Sequence, residues 1–322
     1  MPEKPLNVFL TVDVEIWPQR WDLDPGNFSR YFDTYIIGKT ASGGFGLPFQ
    51  LGLLAEHGLK AVFFVEPLFA FEFGMQPLRE IVSMIRGFGQ EVQPHLHTEW
   101  VGKMTHSILP GRVGINMRQF SKDEQTFLIA KGLENLRSCG VEAPCAFRAG
   151  SFGANRDTLR AVAKNGLKID SSYNLASQHG AFLEDELWQP GLFDGVKEFP
   201  VTVYGDILGR RKHAQINTTS YREFAHILQQ AHARRWHSSV IFWHSAELLN
   251  ESRSRRDPVA ISRLEKLCRY LADRRTILET RWFSEMLSED LPAFGTLGPL
   301  SPTPLDSIAK YGEQLVRKVF LS

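Results

Sequence analysis

Asn7-Val8-Phe9-Leu10-Thr11-Val12-Asp13-Val14-Glu15 is a nearly unbroken apolar run that ends in two carboxylates. A strand with one face in water alternates apolar and polar residues, whereas a strand covered on both faces reads as a continuous run. This one therefore predicts a buried strand of a parallel sheet. Working outward, similar runs follow at Ala61–Glu66, Glu91–His97, Cys145–Ala149, Leu167–Ser171, Phe199–Tyr204 and Val240–His244. Between them, Pro48–Gly58, Pro77–Gly87, Lys122–Cys139, Asn155–Asn165 and Tyr221–Arg235 carry the three-to-four spacing of helices. Gly58, Gly87, Gly140 and Gly166 stand where a left-handed helix cap is wanted. The alternation predicts repeated βα units, an α/β fold with about seven parallel strands. Pro258–Arg274 reads as one more helix and Arg281–Ser288 as another that closes the barrel.

The 322 residues suit one large α/β barrel or two average domains, and the unbroken βα pattern selects the first over residues 1–290. From Leu291 to Pro304 the composition turns to Pro, Gly, Thr and Ser, which predicts a linker, and Asp306–Leu321 reads as a terminal amphipathic helix. Lys and Arg number 37 against 36 Asp and Glu, so no basic excess marks a polyanion binder, and 23 Phe and 7 Trp exclude a disordered chain. Cys139, Cys145 and Cys268 form no CxxC or CxxxC pair, which points to a reducing compartment. Val8–Val14 is too short and too acidic for a signal peptide or a membrane span. The expected location is the cytoplasm.

In parallel α/β folds ligands sit at the carboxyl ends of the strands, so the polar residues that finish the apolar runs carry the information. They are Asp13 and Glu15 on the first run, His95, His97 and Glu99 on the third, Arg148 on the fourth, Asp170 on the fifth and His244 on the seventh. Each has a plain structural reading: a histidine at a strand end is commonly a hydrogen-bonded core residue, and Arg148 with Asp170 would make a buried ion pair. Their joint placement at one end of the sheet instead suggests that a carboxylate and closely spaced imidazoles converge on a divalent ion.

Taken in order, Leu10-Thr11-Val12-Asp13-Val14-Glu15, Gln93-Pro94-His95-Leu96-His97-Thr98-Glu99, Phe147-Arg148-Ala149-Gly150-Ser151-Phe152-Gly153, Asp170-Ser171-Ser172 and Phe242-Trp243-His244-Ser245 resemble the five motifs of the polysaccharide deacetylase (NodB-homology) family. The resemblance spans roughly residues 5–290. It implies a distorted (β/α) barrel and metal-dependent removal of an N-acetyl group from an amino sugar. The Asp-Val-Glu and His-Leu-His forms are closest to cytoplasmic members associated with cell-surface polysaccharide and lipopolysaccharide synthesis. There are departures. The family commonly has two adjacent Asp, the second binding metal, where this chain has Val14. It has two His four apart, where this chain has His95, an extra His97, and Glu99. It has Pro two residues after the Arg, where this chain has Gly150.

The resemblance implies one divalent ion, zinc by expectation, on Glu15, His95 and His97, with Asp13 or Glu99 as alternative ligands and Glu99 otherwise orienting a ligand. It implies Asp13 as general base, Arg148 holding that carboxylate, His244 as general acid, and Asp170 holding His244 or Arg148. A backbone N–H near Ser151 or Phe152 would serve the oxyanion, and Trp17, Trp100 and Tyr204 would line the sugar cleft. The insertions Gln19–Gly44 and Val101–Arg118 are expected over the site. The substrate is then a nucleotide-linked, lipid-linked or oligosaccharide N-acetylamino sugar, with no nucleic acid and no membrane span. Two other readings keep the fold: a hydrolase of a non-sugar amide, and a catalytically inactive carbohydrate-binding barrel, which Val14 and Glu99 motivate.

Overall fold

The computed structural model describes residues 4–206, 208–291 and 298–303, together with Asp306, Lys310 and Glu313. Nine strands form one sheet: β1 (Leu6–Val14), β2 (Val62–Val65), β3 (Glu91–Leu96), β4 (Ala146–Ala149), β5 (Ile169–Asp170), β6 (Gly191–Phe193), β7 (Val196–Glu198), β8 (Ser238–His244) and β9 (Leu278–Thr280). The order is β8-β1-β2-β3-β4-β5-β7-β6, with β9 also on β1. Every pairing is parallel except β6 with β7. All nine residues of β1 are buried, as the apolar run predicts for a strand covered on both faces.

The sheet curls toward closure. Beyond β7 the chain returns to β8, where the Thr202 N–H donates to the Val240 carbonyl at 3.0 Å and the Val240 N–H to Thr202 Oγ1 at 2.8 Å. The architecture is thus an α/β distorted barrel. Helices α1 (Leu47–Glu56), α2 (Met75–Gly87), α3 (Lys122–Ser138), α4 (Arg156–Lys164), α5 (Tyr221–Ala233) and α6 (Pro258–Ala272) accompany it. Ser121 and Ser220 start α3 and α5 with capping boxes to Glu124 and Glu223.

Side chains of a strand alternate between faces. On β1, Leu6, Val8, Leu10, Val12 and Val14 join the outer core. Phe9 joins an inner cluster with Phe64, Phe199, Phe242 and Phe283, stacked on Phe283 at 4.5 Å between ring centroids. This aromatic packing fills the barrel's interior. Thr11 and Asp13 share the Phe9 face and, nearer the carboxyl end, meet Arg148. Period two thus turns Asp13 and Glu15 inward and Val14 outward.

The expected strand Phe199–Tyr204 differs in the structure. The sheet strand is Val196–Glu198, and Val203–Gly205 pairs antiparallel with Arg211–His213 in a separate ribbon. Pro200 explains the break, because it has no N–H for a ladder. Arg281–Ser288 is not an α-helix either: Leu278–Thr280 pairs with β1, and one 3-10 turn follows at Phe283–Met286. The expected linker and terminal helix over 291–322 lie mostly outside the described residues; Asp306, Lys310 and Glu313 are helical. Among the described residues no cysteine is disulfide-bonded, and no helix is long and apolar enough to cross a membrane.

Candidate active site

Glu15 is the hub. Its Oε1 lies 2.9 Å from His95 Nε2, 2.9 Å from His97 Nε2 and 3.9 Å from His244 Nε2. Its Oε2 accepts the Trp17 indole N–H at 2.7 Å. The sequence brings this about simply: β1 delivers Asp13 and Glu15 to the inner face at its carboxyl end, and period two on β3 puts His95 and His97 on that same face.

The far nitrogen of each imidazole is committed. His95 Nδ1 faces the Arg148 carbonyl at 2.9 Å and His97 Nδ1 faces Glu99 Oε2 at 3.3 Å. A carbonyl and a carboxylate only accept, so each Nδ1 carries a proton, and a ring in its neutral form would point an Nε2 lone pair at Glu15. Two lone pairs and a carboxylate oxygen facing one another at hydrogen-bond distance require positive charge between them. Protons on both rings supply it, or a single cation does. Glu15, His95 and His97 have the donor types and mutual spacing for a divalent ion, with donor atoms within 4.8 Å of one another. Glu99 is not in that group; it orients His97. Asp13, Glu15 and His244 form an overlapping group at the same spacing.

Electrostatics follow this crowding. Burial alone would raise Glu15, but His97 and His244 outweigh it and hold the carboxyl well below its usual range. Burial would lower His97, but Glu15 and Glu99 hold it well above an ordinary histidine. Burial likewise opposes the shift at His244, where Glu15 and Glu247 prevail and raise it to about 9.

Asp13 Oδ1 accepts from Arg148 Nη1 at 2.7 Å, with Arg148 fully buried. Arg148 also donates to Thr11 Oγ1, the Ser171 carbonyl and Ser171 Oγ, and its guanidinium lies 4.3 Å over the Phe64 ring. Every direction around this charge is occupied, so its place beside Asp13 is fixed.

His244 is the open member of the site, its side chain 39 % exposed. Its Nδ1 lies 2.9 Å from Glu247 Oε2. Glu247 also takes the His244 and Asn217 backbone N–H groups and the Gln215 amide. Glu247 is the residue of this cluster that the sequence reading missed. Its signal was available, a carboxylate three positions past a strand-ending histidine, where the chain turns back on itself.

Several expectations are corrected. Asp170 touches neither His244 nor Arg148 by hydrogen bond; it accepts from the Ser172 N–H and hydroxyl and pairs with Glu198, where burial raises both carboxyls. Ser171 and Ser172 reach β4 instead, Ser172 Oγ accepting the Ala149 N–H at 2.9 Å. Trp100 is 0 % exposed, packed against Trp21 at 5.1 Å, and Tyr204 is 0 % exposed, bonded to Thr219; neither can line a cleft. Both are large rings whose apolar bulk is better placed in the core. Trp17 does stand at the site, edge-on to His97 at 4.6 Å.

Ser151 and Phe152 directly follow β4 with φ of 53° and 55°, the left-handed region that non-glycine residues seldom enter. Gly150 before them has a definite cause. A Cβ there would lie 2.6 Å from His97 Cγ and Nδ1. The missing side chain makes room for the additional imidazole.

No family model and no curated protein sequence matches the chain. Solved structures do match it. One, from Mycobacterium smegmatis and assigned as a polysaccharide deacetylase, has a TM-score of 0.56 at 15% identity, over 91% of this chain and 96% of that one. The chain has the polysaccharide deacetylase fold. The 4-alpha-glucanotransferase of Thermococcus litoralis also matches, with a TM-score of 0.54 at 12% identity, over 98% of this chain and 47% of that one. Since two such different names share this barrel, fold alone does not choose the reaction, and the side chains at the strand ends must.

Proposed function

We propose that the chain is a metal-dependent carbohydrate N-deacetylase that hydrolyses the acetamide of an N-acetylamino sugar to the free amine and acetate. The observation that carries this reading is the pair of Nε2 atoms aimed at one Glu15 oxygen, each with its Nδ1 committed to an acceptor. Glu15, His95 and His97 would hold the ion. A divalent cation there, zinc by its preference for imidazole and carboxylate, would lower the pKa of a bound water and polarise the acetamide carbonyl.

The remaining chemistry belongs to the chain. Asp13, with one oxygen engaged by Arg148, accepts the proton of the attacking water on its carboxylate. Arg148 keeps that carboxylate oriented through a charge-assisted bond. His244, open to solvent and held at Nδ1 by Glu247, delivers a proton from Nε2 to the departing nitrogen. Glu99 fixes the His97 ring from behind, and the turn at Ser151 and Phe152 offers a backbone N–H to the oxyanion. The motif forms Asp-Val-Glu and His-Leu-His favour cell-surface polysaccharide synthesis in the cytoplasm as the setting.

The test joins two measurements on purified protein: elemental analysis, and acetate release from neutral, nucleotide-linked and lipid-linked N-acetyl sugars. Near-stoichiometric metal with acetate release is expected. Protein that releases no acetate after zinc loading is not a deacetylase.

A further inference from the structure

Beside the Glu15 centre lies a cavity of about 490 Å³ that the chemistry above leaves unused. One wall is Trp17, whose indole N–H is the group bonded to Glu15 Oε2, so the cavity opens next to the reacting centre. The rest comes from the insertion after β1, with Arg30, Tyr31 and Tyr35, and from the loop after β8, with Glu251 through Ser254. A volume of this size suits a small ligand.

Its chemistry is cationic and rich in donors. Arg30 and Arg253 are both exposed, and among the described residues neither has a carboxylate within ion-pair distance. Even with Glu251 counted, the lining carries net positive charge. Arg253 lies with its guanidinium 4.7 Å above the Tyr35 ring, which directs it without neutralising it. Its backbone has φ of 54° and is held there by the loop: the Arg253 N–H donates to the Asn250 carbonyl at 2.8 Å, and Asn250 Oδ1 takes the N–H groups of Ser254 and Arg255 at 3.0 Å. A buried asparagine thus props the arginine against an aromatic ring. Of the lining hydroxyls, Thr34 donates to the Arg30 carbonyl at 2.8 Å and Ser252 and Ser254 share one hydrogen bond at 2.8 Å, which leaves one serine proton to donate outward. Two guanidiniums, with five N–H donors each, and the one remaining serine hydroxyl offer more donors than a carboxylate's two oxygens accept, and match the terminal oxygens of a phosphate.

We propose that this cavity is a phosphate subsite, so that the N-acetylamino sugar is presented to Glu15, Asp13 and His244 as a phosphate or diphosphate ester. The identity of the sugar rests on the deacetylase reading; the anion site does not. The phosphate can belong to a nucleotide or to a polyprenyl lipid, and the two share this recognition chemistry.

The experiment uses the full chain and its Arg30→Gln/Arg253→Gln variant, matched by thermal melting. Inorganic pyrophosphate is titrated while tryptophan fluorescence is followed, since Trp17 lines the cavity. Acetate release is compared for UDP-N-acetylglucosamine, a short polyprenyl diphosphate N-acetylglucosamine and methyl N-acetylglucosaminide. Pyrophosphate binding is expected in the parent and at least about tenfold weaker in the variant. The ratio of kcat/KM for phosphorylated over neutral sugar should fall with it, and the better phosphorylated substrate identifies the source of the phosphate. Equal binding by parent and variant, or none by the parent, overturns the proposal. Pyrophosphate binding that depends on the arginines, with no acetate from any sugar, upholds the subsite and overturns the deacetylase reading.

Discussion

Gly150→Ala is the substitution whose effect the structure specifies most closely. The new Cβ would stand 2.6 Å from His97 Cγ, 2.6 Å from Nδ1 and 2.8 Å from Cδ2. Favourable non-bonded contact begins at about 3.5 Å, so the ring must retreat by about 1 Å. It has nowhere to go without loss: Nε2 sits 2.9 Å from Glu15, Nδ1 3.3 Å from Glu99, and Trp17 and His95 flank it edge-on at 4.6 and 4.8 Å. Metal–ligand distances tolerate only about 0.2 Å, so displacement should weaken zinc binding by at least the 10–100-fold typical of losing a supporting contact. Overpacking should also lower stability by about 1–3 kcal/mol. The assay is competitive zinc titration beside urea unfolding of the metal-free protein, run in a cycle with His97→Ala. Without the imidazole the added methyl loses the ring it collides with, so Gly150→Ala should be nearly free of cost in that background, giving a coupling of about 1–3 kcal/mol. Parent-like zinc affinity in Gly150→Ala, or the same cost in both backgrounds, would refute the reasoning.

His97→Ala should strip the metal while Glu99→Ala retains most of it, checked by elemental analysis; the reverse would make Glu99 the ligand. His244→Ala should slow acetate release by about 10²–10⁴-fold with metal content unchanged, and Glu247→Gln should slow it less, about tenfold or more, because only the hold on Nδ1 weakens. Asp13→Asn should abolish turnover, keep the metal, and cost about 3–5 kcal/mol in urea unfolding, since it leaves the buried Arg148 charge uncompensated. A pH effect follows from Glu66, which burial raises to about 8 although it accepts the Leu68 and Phe69 N–H groups. The folded state then keeps a proton that the unfolded chain releases above about pH 4.3. Stability of the metal-free protein should fall from about pH 5 to 8, by up to about 1.4 kcal/mol per pH unit, and Glu66→Gln should flatten that decline. An identical urea-midpoint profile for parent and variant would show that Glu66 does not titrate there.

Much of the fold was written locally. An apolar run such as Asn7–Val14 is covered on both faces wherever it lies, and the helical spacing and capping serines of α3 and α5 need no distant partner. The carboxyl-end residues were equally legible, because in a parallel sheet the end of each run is the end that faces the ligand. Period two already separated Glu15 from Val14 and placed His95 with His97. What sequence could not give was every relation across the barrel. Asp170 looked like a partner for Arg148 or His244, yet Glu198, 28 positions on, occupies it. Trp100 and Tyr204 read equally as cleft walls or core, and only packing put them inside. Phe199–Tyr204 was apolar enough for a strand, and Pro200 broke the ladder. Gly150 was an unexplained departure until the fold brought His97 against it. The physical reason is common to all of these: periodicity and propensity act between neighbours in the chain, whereas the partner of a buried charge or the room for a ring depends on atoms that only closure of the sheet brings together.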